Sequence, residues 1–349
     1  MRFVWRWLKR GVFSVLLLVL LLLAPIGYVE IACRGDVVAD EYQPVIAAAE
    51  WRRAESRTLL TYPEWHIVHA YDDYARIIRD GDPHDYAYIR AILGFWTSLC
   101  PLTERAAAMG GVTGDTKATI YTIGVSFTVE MLAKALYEES LGRVATWFRG
   151  ATRTPLDDLS ARQAKAYADF LQQTPWYKWD FASDAEALIE GAGPGVRDWE
   201  RRMALGVEYK GKAAYADVIA QAVEGVGADE LRLRSLVTGT ESVSLSDIHG
   251  VTVIEQIPEG IVIETDRYRA FTKVAEQLAA TGVDFVEIAG NDEILFTSIS
   301  DNSETSGAIF SFQRQGYGDY RHLILVPVSE LADRLRNLDG LVMEHVHDY

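Results

Sequence analysis

Residues Gly11 to Val29 form a run of 19 uncharged residues, dominated by Val15 to Leu23, directly behind an amino end that carries Arg2, Arg6, Lys9 and Arg10. As a helix rising about 1.5 Å per residue, the run reaches roughly 28 Å, close to the thickness of the hydrocarbon layer of a bilayer. A chain with such a segment must keep it in lipid or lose it by cleavage. Basic residues crowd before the run and only Arg34 follows it closely, so the charge rule places residues 1–10 in the cytoplasm and the body on the far side. A cleavable signal ends in small residues, and a lipid-attachment signal carries an aliphatic residue three places before its cysteine. Here Glu30 occupies that position ahead of Cys33, which favours a retained single-pass anchor over residues 11–29, with a frayed exit at Pro25 and Gly27.

The chain carries a formal charge of −16, and four of its basic residues lie before the span, so the outward body is more acidic still. Such a body is a poor partner for nucleic acid. Arginine far exceeds lysine, alanine is abundant and asparagine is scarce (Asn291, Asn302, Asn337), which points to a GC-rich bacterial genome. The expected location is then the bacterial inner membrane, with a periplasmic body. Cys33 and Cys100 are the two cysteines, and an exported compartment permits a bridge between them. Cys33 sits at the membrane edge, however, so a buried free Cys100 is the plainer expectation.

Seven of the nine tryptophans lie between Trp51 and Trp199 and none follows, which marks a change of architecture. Residues 45–225 show helical apolar spacing broken by turn signals such as Gly81-Asp82-Pro83, Gly110-Gly111 and Thr174-Pro175. Over residues 250–349 the pattern becomes strand-like in seven segments: 251–256, 261–264, 283–288, 294–299, 309–312, 323–326 and 341–345. Helices near 267–280 and 329–337 interrupt it. The order strand, helix, strand, strand, helix, strand is that of a ferredoxin-like unit, with Gly290-Asn291-Asp292 as the central turn. The expected class is α+β: an N-terminal transmembrane helix, a mostly helical middle domain and a C-terminal ferredoxin-like domain, with no internal repeat.

Candidate sites follow from polar residues set at structural spacing. After Pro63 and Glu64 open a helix, Ile67, Tyr71, Tyr74 and Ile78 share one face, while His66, His69 and Asp73 share the other. That second face is expected to be solvated or to contact another domain. The same residues, with His84 beyond the turn, could instead hold a divalent metal, and Glu64 could serve as a general base. Glu130, one helical turn before Lys134 in an apolar helix, is a second candidate acid–base group. Trp176, Tyr177 and Trp179 form an aromatic cluster suited to an apolar ligand or a protein partner, or to ordinary packing. His345 and His347, beside Asp348, would point to one side of a last strand whose edge is free. Gly110 to Lys117 lacks the spacing of a phosphate loop, and Gly124 to Thr128 lacks the second glycine of a nucleophile elbow.

Two function classes remain open. One is an anchored envelope protein that binds an apolar ligand or partner and pairs with a second copy, forming a homo-oligomer. The other is a membrane-tethered hydrolase or lyase using Glu64, His66, His69, Asp73 and His84, with or without a metal.

Overall fold

The computed structural model describes residues 2–222, 231–240 and 243–349. The expected end of the helical region near residue 225 lies outside them. The first helix, α1 (Arg2–Ala32), is long and apolar enough to cross a membrane, and almost none of its apolar stretch is buried against protein. It does not fray at Pro25 and Gly27 but continues to Ala32, because its outer end is built into the body. Val29 and Cys33 are buried against α3 (Tyr88–Ala107) and α4 (Gly114–Tyr137). Glu30 accepts hydrogen bonds from Lys117 at 2.8 Å and Tyr121 at 2.6 Å, both on α4. Cys33 is disulfide-bonded to Cys100 on α3 with the Cα atoms 4.7 Å apart, so Cys100 is not the free thiol expected.

A strap leads from the anchor to α2 (Arg57–Asp80), crossing the α+β body on the way. The buried carboxylate of Glu287 accepts from the amides of Val45 and Ile46 and from the Tyr42 hydroxyl, and Glu55 accepts from the amide of Glu293 at 2.9 Å. The remaining helices are α5 (Arg143–Arg149), α6 (Pro155–Leu171), α7 (Phe181–Glu190) and α8 (Val196–Ala222). Thr154 caps α6 with Pro155 at its first position, a strong start signal. A chain of buried ion pairs ties these helices together. Arg201 grips Glu138 and Glu200, Arg197 joins Glu200 to Asp157, and Arg149 joins Asp157 to Asp82. Glu138 opens a π-helical turn that ends at Gly142, where a Cβ would stand 2.2 Å from the Glu138 carboxylate.

All seven strand segments read from sequence form strands, and both helices form between them. An eighth strand, β1 (Arg232–Thr238), precedes them. It is followed by β2 (Val251–Ile257), β3 (Gly260–Asp266), α9 (Arg269–Ala280) and β4 (Asp284–Ile288). Next come β5 (Glu293–Ser300), β6 (Ala308–Gln313), β7 (Tyr320–Pro327), α10 (Val328–Arg336) and β8 (Val342–His347). The strands make two antiparallel sheets, ordered β2-β3-β1-β4 and β6-β7-β5-β8. Each sheet arises from three strands, one helix and a fourth strand wired in the same way, so the region is a structural repeat of two units. This departs from the single ferredoxin-like sheet expected: without β1, β4 and β5 read as neighbours, whereas they belong to different sheets. The strands pair where each finds a partner of matching register, and β1 supplies that partner for both β3 and β4.

The two helices pack together under one core shared by both sheets, with α10 lying against β4 of the other unit and α9 against β8. The far face of the second sheet carries Leu295, Leu323, Phe310 and Phe312, which pack against Leu59, Tyr62 and Trp65 of α2 and Leu102 of α3. That junction positions the candidate site. The Cys33–Cys100 bridge spans 67 residues of sequence, for which chain entropy gives a stabilisation of about 4 kcal/mol. We expect Cys100→Ser to lower the unfolding free energy of the full chain by an amount of that order, read as a lower denaturation midpoint, and addition of reductant to do the same to the unsubstituted chain. An unchanged midpoint in both would refute the bridge.

Candidate functional site

Helix α2 is buried on two sides. Its apolar face, including Tyr71 and Ile78, packs into the helical body, while Tyr62, His66, His69 and Asp73 rise in steps of four, three and four along the opposite side. That polar stripe meets the second sheet and α3 instead of water. His66 donates from Nε2 to the carbonyl of Ala91 at 2.9 Å, and its ring occupies the space where a Cβ on residue 94 would lie 2.8 Å away, so Gly94 is what lets the ring approach α3. Trp65 stacks on His345 of β8 with ring centroids 3.4 Å apart, and His345 Nδ1 lies 2.9 Å from the Thr272 hydroxyl on α9. Thr58 fastens the start of α2 to both sheet strands, donating to the His347 carbonyl at 2.8 Å and accepting from the Leu295 amide at 2.9 Å.

Between α2, the α3 start and β6–β7 lies a cavity of about 240 Å³. His66, His69, Asp73 and Arg321 form its interior, Phe310 and Phe312 one wall, and the exposed Arg90 borders it from α3. Arg321 is buried and forms a two-pronged pair with Glu344, 2.5 and 2.6 Å long. Asp73 accepts from the amide of Gln315 at 3.0 Å through Oδ2, while its Oδ1 has no hydrogen-bond partner. His69 Nε2 is likewise without a hydrogen bond, with the Glu344 carboxylate 3.6 Å away. Both side chains line the cavity, and a buried polar atom without a hydrogen bond is costly unless a partner completes it.

Burial sets the charge states. Desolvation lowers His66 to about 4 and carries His69 and His345 well below the normal value, while His347 falls to about 3. Asp73 is raised to about 7 by burial, against the opposing pull of Arg321, and Asp348 is raised to about 7 by burial against Arg267. At neutral pH the histidines are uncharged and Asp73 is poised between acid and carboxylate.

His66, His69 and Asp73 thus share one cavity, but His84 does not line it. His84 lies in the turn after α2 beside Asp82 and Asp85, the one set of three ligand residues close enough to share an ion among the described residues. His66, His69, Asp73 and His84 form no such set. Glu64 is exposed and does not line the cavity. Glu130 belongs to a separate network, accepting from Tyr71 and lying 2.7 Å from Lys212, while Lys134 and Lys212 also hold Glu208. Burial raises Glu130, but the two lysines outweigh it and keep the carboxyl below its usual range, which suits an ion pair better than a base.

Trp176, Tyr177 and Trp179 are half-buried: Trp179 donates to Asp184 and packs on Tyr167 and Phe170, and Trp176 packs on Phe181 and Tyr215. The exposed apolar side chains lie elsewhere, as Trp147 and Phe148 on α5 and Trp199, Met203 and Val207 on α8. His345 and His347 do not sit on a free edge. Although β8 is the last strand of its sheet, α2 and α9 cover it, and the chain is buried through Tyr349. Sequence reasoning missed Arg321, Glu344, Gln315 and Arg90, whose only signal was their charge or polarity inside or beside apolar segments.

No protein-family model, curated protein or solved structure matches the chain. Function has to be argued from the cavity and its surroundings.

The pH dependence of stability follows from these charge states. Below pH 6.5 the unfolded chain takes up protons that the buried histidines refuse, so each histidine costs about 1.4 kcal/mol per pH unit down to its folded value. Asp73, Asp348 and the raised Glu55 act the other way, since the folded state keeps protons there that the unfolded chain has released. Their contribution is lost as pH climbs to about 7 and above. Above pH 6.5 the histidines are neutral in both states and no longer contribute a slope, so Asp73→Asn should make the decline above pH 6.5 shallower. Denaturant titrations between pH 4 and 9 check this; a decline above pH 6.5 as steep in the variant as in the unsubstituted chain would refute the role given to Asp73.

Proposed function

We propose that this chain is a single-pass membrane protein whose body lies on the non-cytoplasmic side and binds a small polar molecule in the cavity between α2 and the second sheet. The observation that carries the binding reading is that His69 and Asp73, each with one buried side-chain atom lacking a hydrogen bond, line the same cavity beside Arg321. A polar ligand there would reach both atoms by a small rotation of the His69 and Asp73 side chains, and Arg90 would meet an acidic substituent at the border. The retained-anchor reading draws support from the disulfide, the Glu30 hydrogen bonds and buried Val29, since a cleaved leader has no use for contacts with the mature body. A disulfide also suits an oxidising compartment, in line with the basic residues before the span. With the compositional argument for a bacterial source, that compartment is the periplasm and the anchor lies in the inner membrane.

An acid–base enzyme is the second reading, favoured by one observation. Asp73, raised to about 7, stands in the same cavity as an uncharged His69, a pairing suited to moving a proton at neutral pH. Glu64 and His84 have no part in it, and no reaction is assigned. Capture of a partner through Trp176, Tyr177 and Trp179 is less well supported than contact through the exposed side chains of α5 and α8.

Native mass spectrometry of the full chain, purified without reductant, tests both readings. We expect a small-molecule adduct that disappears in the His69→Ala, Asp73→Asn double variant while the disulfide stays intact. A stoichiometric metal lost in the same variant would overturn the small-molecule reading. An adduct that survives both substitutions would overturn the assignment of the cavity. The anchor is tested in intact cells: maleimide should label neither cysteine until a reductant is added, and labelling without reductant would count against the outward body.

A further inference from the structure

We infer that a second cleft, between the strap and the start of α4, binds a phosphate group. The cleft measures about 650 Å³, within the range of small-molecule sites. Arg52, Arg53, Arg57 and Arg267 line it, together with the hydroxyl-bearing Thr113 and Thr116. In a chain of formal charge −16, four guanidinium groups around one cleft run against the composition. One carboxylate, Glu50, shares the lining, and Asp348 lies 3.7 Å from the inner side of Arg267.

Positive charge is held there by geometry. Arg52 donates to the carbonyls of Ile46 and Ala47, which orient its guanidinium without cancelling its charge. Arg57, the first residue of α2, is exposed and has no ion-pair partner among the described residues. Opposite them, Thr113 caps α4, accepting from the amide of Thr116 at 3.3 Å, so the positive end of a 24-residue helix opens on the same space. Guanidinium forks, hydroxyls and a helix N-terminus together match the tetrahedral oxygens of a phosphate ester.

The cleft also lies close to the anchor. Thr116 immediately precedes Lys117, whose ammonium binds Glu30 at the outer end of α1. If α1 spans the bilayer as proposed above, this wall of the cleft stands at the level of the lipid headgroups. The phosphate can therefore come from a lipid headgroup or from a soluble phosphate ester, and the same residues would recognise either.

The test uses the full chain in two arms. In neutral detergent, inorganic phosphate is titrated calorimetrically, a measurement that does not depend on how α1 is oriented. In nanodiscs, native mass spectrometry compares retention of phosphatidylglycerol with that of phosphatidylcholine. Arg57→Glu is the first variant, because Arg57 is exposed and makes no ion pair within 4 Å among the described residues, and Arg52→Glu is the second; an intact disulfide reports folding. Salt-sensitive phosphate binding that weakens at least about tenfold in the variants supports the inference with a soluble ligand. Selective retention of phosphatidylglycerol, lost in the variants, supports it with a lipid. Absence of both, or binding that the substitutions leave unchanged, overturns it. Failure of the anchor alone would abolish lipid retention and leave the phosphate titration intact.

Discussion

The structure depends on the burial of α2 from two sides. One face completes the helical body through Tyr71 and Ile78, and the other lies on the second sheet through Tyr62, Trp65 and the Trp65–His345 stack. A helix so placed cannot keep its polar stripe hydrated, so every polar atom on it must find a partner in protein. Most do: His66 bonds to a carbonyl of α3, Asp73 to the Gln315 amide, and Thr58 to both flanking strands. The few that do not are those around the cavity. The packing of apolar residues on both faces holds these groups in a low-polarity setting, which is why the histidines lose their protons and Asp73 gains one.

Electrostatics in the body is organised around paired charge held out of water. The Arg201, Arg197 and Arg149 chain bridges the turn after α2, α5, α6 and α8, and Lys134 and Lys212 hold Glu130 and Glu208 within rings of tyrosine. Removing one member of such a pair costs more than the pair contributes, because a lone buried charge remains. The Arg-lined cleft stands apart: there Arg57 is exposed and makes no ion pair within 4 Å among the described residues, and Arg52 is oriented by neutral carbonyls. The body thus braces its helices with paired buried charge, while the cleft gathers arginines on its lining.

Much of the C-terminal region was legible, because alternation along a strand is a local property. The seven segments read from alternation and the two helices between them all formed. What failed was the pairing. β1 begins with Arg232 and Arg234, whose charges are answered by Glu264 and Asp266 on β3, so the segment did not read as a strand by itself. Without it the repeat was invisible, and the remaining order resembled a different topology. In the site, the stripe of His66, His69 and Asp73 was legible from helical spacing, whereas Arg321, Glu344 and Gln315 come from strands or loops more than 240 residues away in sequence.

By itself the sequence determined the apolar helix at the amino end, the acidic character of the body, the positions of most helices and strands, and the side of α2 on which its polar residues lie. These are consequences of composition and of periods shorter than two helical turns. Tertiary structure decided the rest: which strands pair, that Cys33 and Cys100 meet, that the polar stripe of α2 faces a sheet, and that four arginines share a cleft. Each of those depends on distances between residues far apart in the chain, and no local pattern carries that information.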